Sequence, residues 1–230
     1  ETRIGEEMEV HYANLKRIYQ ESKVELDKAV QDCMDNSWFT KGPKVIEFEK
    51  NLSDYCGAPA VGVSSGTSAL LLAYECLGLK PGDKIIIPSF TFISTPEMAS
   101  KLGLEIVWVD CNKDNYTMNT DELAGILSSI KDIKAIVGVD IFGHTCDWDT
   151  IKDIAGDIPV VQDAAQSFGG KYKGKLNGTY NDLTCFSFYP AKNMWCFGDG
   201  GAVVGHQTHI DKTSMSRDHG RTDKYVHEFL

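Results

Sequence analysis

The sequence predicts an α/β fold with a mainly parallel sheet covered by helices on both faces. Three observations carry that expectation. From Ala60 onward short β-rich runs alternate with helical stretches. The chain has 230 residues, about one and a half times the ~150-residue domain prior, which suits one large domain. Its 42% hydrophobic and 24% charged residues are ordinary globular composition, with material for a core and too little charge bias for disorder.

Each element follows from local pattern. Between Tyr12 and Met34 the apolar residues Leu15, Ile18, Tyr19, Leu26, Ala29, Val30, Cys33 and Met34 recur at helical spacing, which predicts one or two leading helices. Thr40-Lys41-Gly42-Pro43 interrupts them, and Val45, Phe48, Leu52 and Tyr55 resume the period. The expected strands are Ala60–Val63, Lys84–Ile87, Ile106–Val109, Ala135–Val139, Val160–Gln162, Thr184–Phe188 and Ala202–Val204. Between them the expected helices are Thr67–Cys76, Thr95–Leu102, Thr120–Ile130 and Asp149–Ala155. No internal repeat or low-complexity segment breaks this alternation.

Charge and cysteine usage narrow the function classes. Twenty-three Lys and Arg against 33 Asp and Glu give a net charge of -10 without a basic face, which disfavours nucleic acid as a partner. No apolar run approaches the ~18 residues that span a bilayer, and no signal-peptide pattern opens the chain, so a cytoplasmic protein without a membrane partner is expected. Seven widely spaced cysteines sit mostly in apolar segments and read as small core residues. His206-x-x-His209 has no neighbouring Cys or carboxylate cluster and reads as a pair of solvated loop histidines, with no metal site expected.

Ligands of open parallel sheets sit beyond the strands' carboxyl ends, so the candidate chemistry lies there. Ser65-Gly66-Thr67-Ser68 follows a strand and opens a helix, where backbone N–H groups and the Thr67 and Ser68 hydroxyls could hold a phosphate. By itself the segment reads more readily as a helix N-cap with a turn glycine. It is neither a P-loop nor G-x-G-x-x-G, which disfavours a nucleotide-dependent oxidoreductase. Asp163 ends an apolar strand and needs a cationic or donor partner, or else caps the segment that follows. Lys192 lies between the apolar run Cys185–Tyr189 and Gly198-Asp199-Gly200-Gly201, where desolvation would make its amine a nucleophile. Its bland alternative is a snorkelling surface lysine. Together with Ser187 and an aromatic residue at the second strand's end, these are the parts that pyridoxal phosphate (PLP) asks of a protein.

At these residues the chain resembles the DegT/DnrJ/EryC1/StrS sugar aminotransferases, three-layer PLP enzymes of the aspartate aminotransferase-like fold. The resemblance rests on Trp38-Phe39-Thr40-Lys41-Gly42-Pro43, Val63-Ser64-Ser65-Gly66-Thr67-Ser68-Ala69-Leu70, Pro88-Ser89-Phe90-Thr91-Phe92, Gln162-Asp163-Ala164-Ala165-Gln166, Ser187-Phe188-Tyr189-Pro190-Ala191-Lys192-Asn193, Gly198-Asp199-Gly200-Gly201 and Arg217-Asp218-His219-Gly220. It implies Lys192 as the Schiff-base and proton-shuttling lysine, and Asp163 as partner of the pyridinium nitrogen. It further implies Gln166 on the cofactor's phenolic oxygen, Phe92 against its ring, and Gly66, Thr67, Ser68 and Ser187 around its phosphate.

The implied reaction moves an amino group from glutamate to a keto group of a nucleotide-linked deoxysugar, with 3-keto favoured over 4-keto, in a homodimer. The implied organisation is an N-terminal helical segment, residues 1–58, on a PLP-binding large domain, residues 59–230. The family's small domain and its Gly-x-Asn-x-Arg segment are absent, and Glu1 and the apolar Phe229-Leu230 read as cuts. A truncated PLP-binding remnant without turnover is therefore the alternative reading. His144, where many relatives carry Gln, has no role assigned by the resemblance.

Overall fold

The structure is a computed structural model that describes residues 14–223 and 226–227; Tyr12 and the terminal Phe229 and Leu230 lie outside them. The chain divides into two compact units, Glu1–Lys44 and Val45–Leu230. In the first, the helical spacing resolves into two helices, α1 (Leu15–Glu21) and α2 (Lys23–Asp35). Asn14 caps α1 by accepting the Arg17 N–H at 3.0 Å, and Lys23–Asp27 and Lys28–Asp32 pair one turn apart along α2.

The second unit is built around a seven-stranded sheet. In chain order its main elements are α3 (Pro43–Cys56), β1 (Ala60–Val63), α4 (Gly66–Cys76), β2 (Lys84–Pro88), α5 (Ser94–Lys101), β3 (Glu105–Val109), α6 (Thr120–Ser129), β4 (Ile133–Val139) and α7 (Trp148–Ala155). There follow β5 (Val160–Asp163), the short hairpin β6 (Lys171–Tyr172) and β7 (Lys175–Leu176), then β8 (Leu183–Ser187), β9 (Gly201–Gly205), α8 (Gln207–Ser216) and the short pair β10 (Arg221–Asp223) and β11 (Val226–His227). The sheet order is β1-β9-β8-β5-β4-β2-β3. Every adjacent pair from β8 to β3 is parallel, and β9 alone runs against both of its neighbours.

Alternation along the strands sorts the core onto two faces. On one face Val61, Ile85, Ile87, Val137, Val161 and Val203 pack with Tyr74 of α4, Met98 of α5 and Ile210 of α8. On the other, Ile86, Ile136 and Val160 pack with Leu123 of α6 and Trp148 and Ile151 of α7, while Phe186, Ala202 and Val204 pack with Leu52 and Cys56 of α3. Ile85, Ile86 and Ile87 are all fully buried, as a strand covered on both sides requires, and each contributes about 1.5–3 kcal/mol of burial. The edge strand β1 is closed off by an ion pair. The Glu49 carboxylate accepts the Gly62 N–H at 2.9 Å, and Arg217, paired with Glu49, donates to the Gly62 carbonyl at 2.6 Å.

Two expectations change. His206 precedes α8 and His209 lies within it, half-buried rather than on a solvated loop, because α8 covers the end of β9. The expected helices and strands also omitted α8 and the two short hairpins. All seven cysteines are free thiols, with Cys56, Cys76, Cys146 and Cys185 buried. Among the described residues no helix is long and apolar enough to cross a membrane.

Candidate active site

The carboxyl ends of β1, β2, β4, β5 and β8 converge on the residues that the sequence singles out. At the end of β1, Ser65 caps α4 by accepting the Ser68 N–H at 3.0 Å, so the turn glycine and the N-cap of the bland reading are both present. They also set up a cradle. Gly66 abuts the end of β8 so closely that an added Cβ would lie 2.6 Å from Ser187 Cβ, which brings Gly66 and Ser187 side by side. The Thr67 hydroxyl meets that of Ser94 at 2.9 Å, fastening the start of α4 to the start of α5. Gly201 is glycine for a related reason, since a Cβ there would run into the Ser65 backbone. The first turn of α4 thus offers N–H groups, hydroxyls and the positive end of an eleven-residue helix to an anion, with Ser187 alongside.

Asp163 is the last residue of β5 and is buried. Burial raises its carboxyl pKa, opposed by the Thr95 hydroxyl at 2.8 Å, the Ala165 N–H at 3.1 Å and the charge of Lys192. The contact with Ala165 is an Asx turn and not a helix cap, because no helix follows β5. Lys192 is half-buried, and that burial lowers its pKa against the opposing pull of Asp163. The two feel each other's charge without an ion-pair contact, so Asp163 can still take a second cationic partner.

Gln166 sits three residues beyond Asp163, and its Oε1 accepts the Phe142 N–H at 2.6 Å. That bond commits the carbonyl end and leaves the amide N–H groups as donors. Phe92 lies on the β2–α5 loop and is 64% exposed, outside the ring-to-ring contacts among the described residues. The structure therefore brings Gly66, Thr67, Ser68 and Ser187 together, and Asp163 near Lys192, while Phe92 stands open to solvent. A cofactor with an anionic phosphate, a basic ring nitrogen and an acceptor oxygen fits this donor and acceptor set. Among the described residues no group of three or more His, Cys, Asp or Glu is placed to hold a metal ion.

Several participants escaped the sequence reading. Thr95, Ser94 and Phe142 act through contacts with residues 68, 27 and 24 positions away, which no local pattern encodes. Asp140 is buried on the opposite face of the sheet from Asp163, where Gln162, Ser167 and Asn177 surround it. A polar residue closing an apolar run, as Asp140 does after Val139, was the one available signal.

Seven strands with one antiparallel member, helices on both faces and a strand-end lysine near a buried aspartate define a three-layer, aspartate aminotransferase-like protein. The chain belongs to the DegT/DnrJ/EryC1/StrS aminotransferase family, whose model matches residues 20–230. It is 37% identical over 223 residues to the dTDP-3-amino-3,4,6-trideoxy-alpha-D-glucose transaminase of Streptomyces venezuelae, covering 95% of this chain and 58% of that protein. The crystal structure of S. venezuelae DesV in complex with a ketimine intermediate superposes with a TM-score of 0.91 at 36% identity, over 95% of this chain and 60% of that one. Ntda from Bacillus subtilis, solved with bound cofactor PMP, gives a TM-score of 0.89 at 28% identity, over 98% and 52%. The chain spans little more than half the length of these relatives.

Proposed function

We propose that this chain is the cofactor-binding part of a PLP-dependent aminotransferase that moves an amino group from glutamate to a keto group of a nucleotide-linked deoxysugar. C3 is the favoured position, the working form is a homodimer, and the site of action is the cytoplasm. The observation that carries the reading is the neighbourhood of Lys192 and Asp163, a half-buried amine and a buried carboxylate at one set of strand ends. The name of the S. venezuelae relative, a 3-amino-sugar transaminase, supports the substrate class and the C3 preference.

When bound, pyridoxal phosphate supplies a pyridinium ring that takes up negative charge from the amino donor's carbon. Gly66, Thr67, Ser68 and Ser187 would hold its phosphate, Asp163 would keep its ring nitrogen protonated, Gln166 would donate to its phenolic oxygen and Phe92 would cover its ring. Lys192 Nζ takes the proton from the donor's Cα and returns it on the other side of the transfer. Burial assists by raising the fraction of neutral amine.

Titration with PLP should give a visible absorption band that bleaches when glutamate is added. Lys192→Ala should abolish the covalent band while far-UV circular dichroism stays unchanged, and a wild-type band in that variant would overturn the assignment. Uptake of PLP without bleaching would favour the second reading, cofactor binding without turnover.

A further inference from the structure

Asp140 follows β4 and is fully buried, with its carboxylate on the sheet face opposite Asp163. Its Oδ1 accepts the Cys146 N–H at 3.0 Å. Its Oδ2 accepts from Gln162 Nε2 at 2.6 Å, from the Ser167 hydroxyl at 2.9 Å and from Asn177 Nδ2 at 3.3 Å. Four donors converging on an acceptor-only group from four separate segments are more than a stray buried charge needs.

Two of these bonds bracket one contact of the candidate site. The Cys146 bond closes residues 140–146 into a loop that carries Phe142, a non-glycine residue at φ 55° whose N–H points to Gln166. That left-handed conformation is disfavoured for a residue with a side chain and persists only where surrounding contacts enforce it. The Ser167 bond fixes the residue next to Gln166. Asp140 therefore grips both sides of the Phe142–Gln166 hydrogen bond, which decides the direction of the Gln166 amide.

We infer that Asp140 is a positioning residue which, through Cys146 and Ser167, aims the Gln166 amide at the cofactor's phenolic oxygen. This rests on the PLP reading given above. Asp140 touches none of the reacting atoms. The titratable groups against it are Cys146 and Asp163, the latter in turn facing Lys192. Burial pushes the Asp140 carboxyl up to about 6, so it is ionised at neutral pH and accepts all four bonds.

The test is a spectrophotometric pH titration of the visible band of the PLP-loaded chain. A donor to the phenolic oxygen stabilises its deprotonated form, so losing that donor raises the midpoint by roughly half to one pH unit, the equivalent of one hydrogen bond. Asp140→Asn places an amide where Gln162 and Ser167 donate, and is expected to raise the midpoint as Gln166→Ala does. Ser167→Ala, a milder change that keeps the carboxylate, should shift it in the same direction by less. In Asp140→Asn/Gln166→Ala the shift should equal that of Gln166→Ala alone, because both act through one amide.

If Gln166→Ala moves the midpoint while Asp140→Asn and Ser167→Ala leave it at the wild-type value, the inference is overturned and the PLP reading stands. Additive shifts in the double variant would also overturn it. A wild-type chain that forms no band on PLP addition would instead overturn the PLP reading and the inference with it. Should Asp140→Asn not fold, Ser167→Ala and the double variant Ser167→Ala/Gln166→Ala carry the same comparison.

Discussion

Asp163 ends β5, Asp140 follows the neighbouring parallel strand β4, and both are buried, yet their surroundings suit opposite tasks. Asp163 has two neutral donors, the Thr95 hydroxyl and the Ala165 N–H, and keeps capacity for a cation. Asp163→Asn should still take up PLP but lose turnover with glutamate by about 10²-fold, the scale of one preorganised electrostatic partner; wild-type turnover would remove Asp163 from its role. Asp140 is saturated by donors and is read out through stability. With its carboxyl near 6 in the folded chain and 3.8 ordinarily, the folded state holds that proton more tightly than the unfolded state. The contribution is complete below pH 4 and is lost as the pH climbs through about 6, up to about 3 kcal/mol in all. Urea unfolding at pH 4 and pH 7 should show Asp140→Asn lacking this part of the wild-type dependence, and equal pH dependence in the two chains would contradict it.

At the scale of elements, the approach of the β1–α4 turn to the end of β8 sets the anion cradle. Gly66→Ala must push Ser187 or the turn aside, since the new Cβ would sit 2.6 Å from Ser187 Cβ. The expected result is at least about a tenfold loss of PLP affinity with a stability cost of ~1–3 kcal/mol. An absorbance titration that finds wild-type affinity would show that the turn is not part of the site. The motif Ser65-Gly66-Thr67-Ser68 was legible because a strand, a cap residue and a helix are local features. Why the second position is glycine was not legible, since its neighbour Ser187 is 121 residues away. The Glu49–Arg217 clamp on Gly62 is hidden for the same reason: its members lie 168 positions apart and only meet once β1 is an edge strand.

For the whole molecule, the sheet carries the fold and α7 covers its second face. Trp148 is fully buried at the start of α7 against Ile136 and Val160. Trp148→Ala should cost about 3–5 kcal/mol in chemical denaturation, and a loss under 1 kcal/mol would mean that this face is not held as described. The seven strands of the sheet were each legible within one or two residues, because continuous apolar runs between turn signals report burial directly. Helix α8 was not. Its sequence, Gln207–Ser216, has only Ile210 and Thr213 buried, and the polar residues around His206 and His209 gave it the composition of a loop.

By itself the sequence determined the alternation of strands and helices, the parallel sheet, the family and the residue types gathered at the strand ends. These follow from periodicity, turn chemistry and motif spacing, all written within stretches of about a dozen residues. Tertiary structure alone decided that Asp163 and Lys192 share surroundings without pairing, that Gly66 backs onto Ser187, and that Asp140 lies behind Gln166. The physical reason is that burial, and with it every shift in proton affinity, depends on which distant segments exclude water from a side chain.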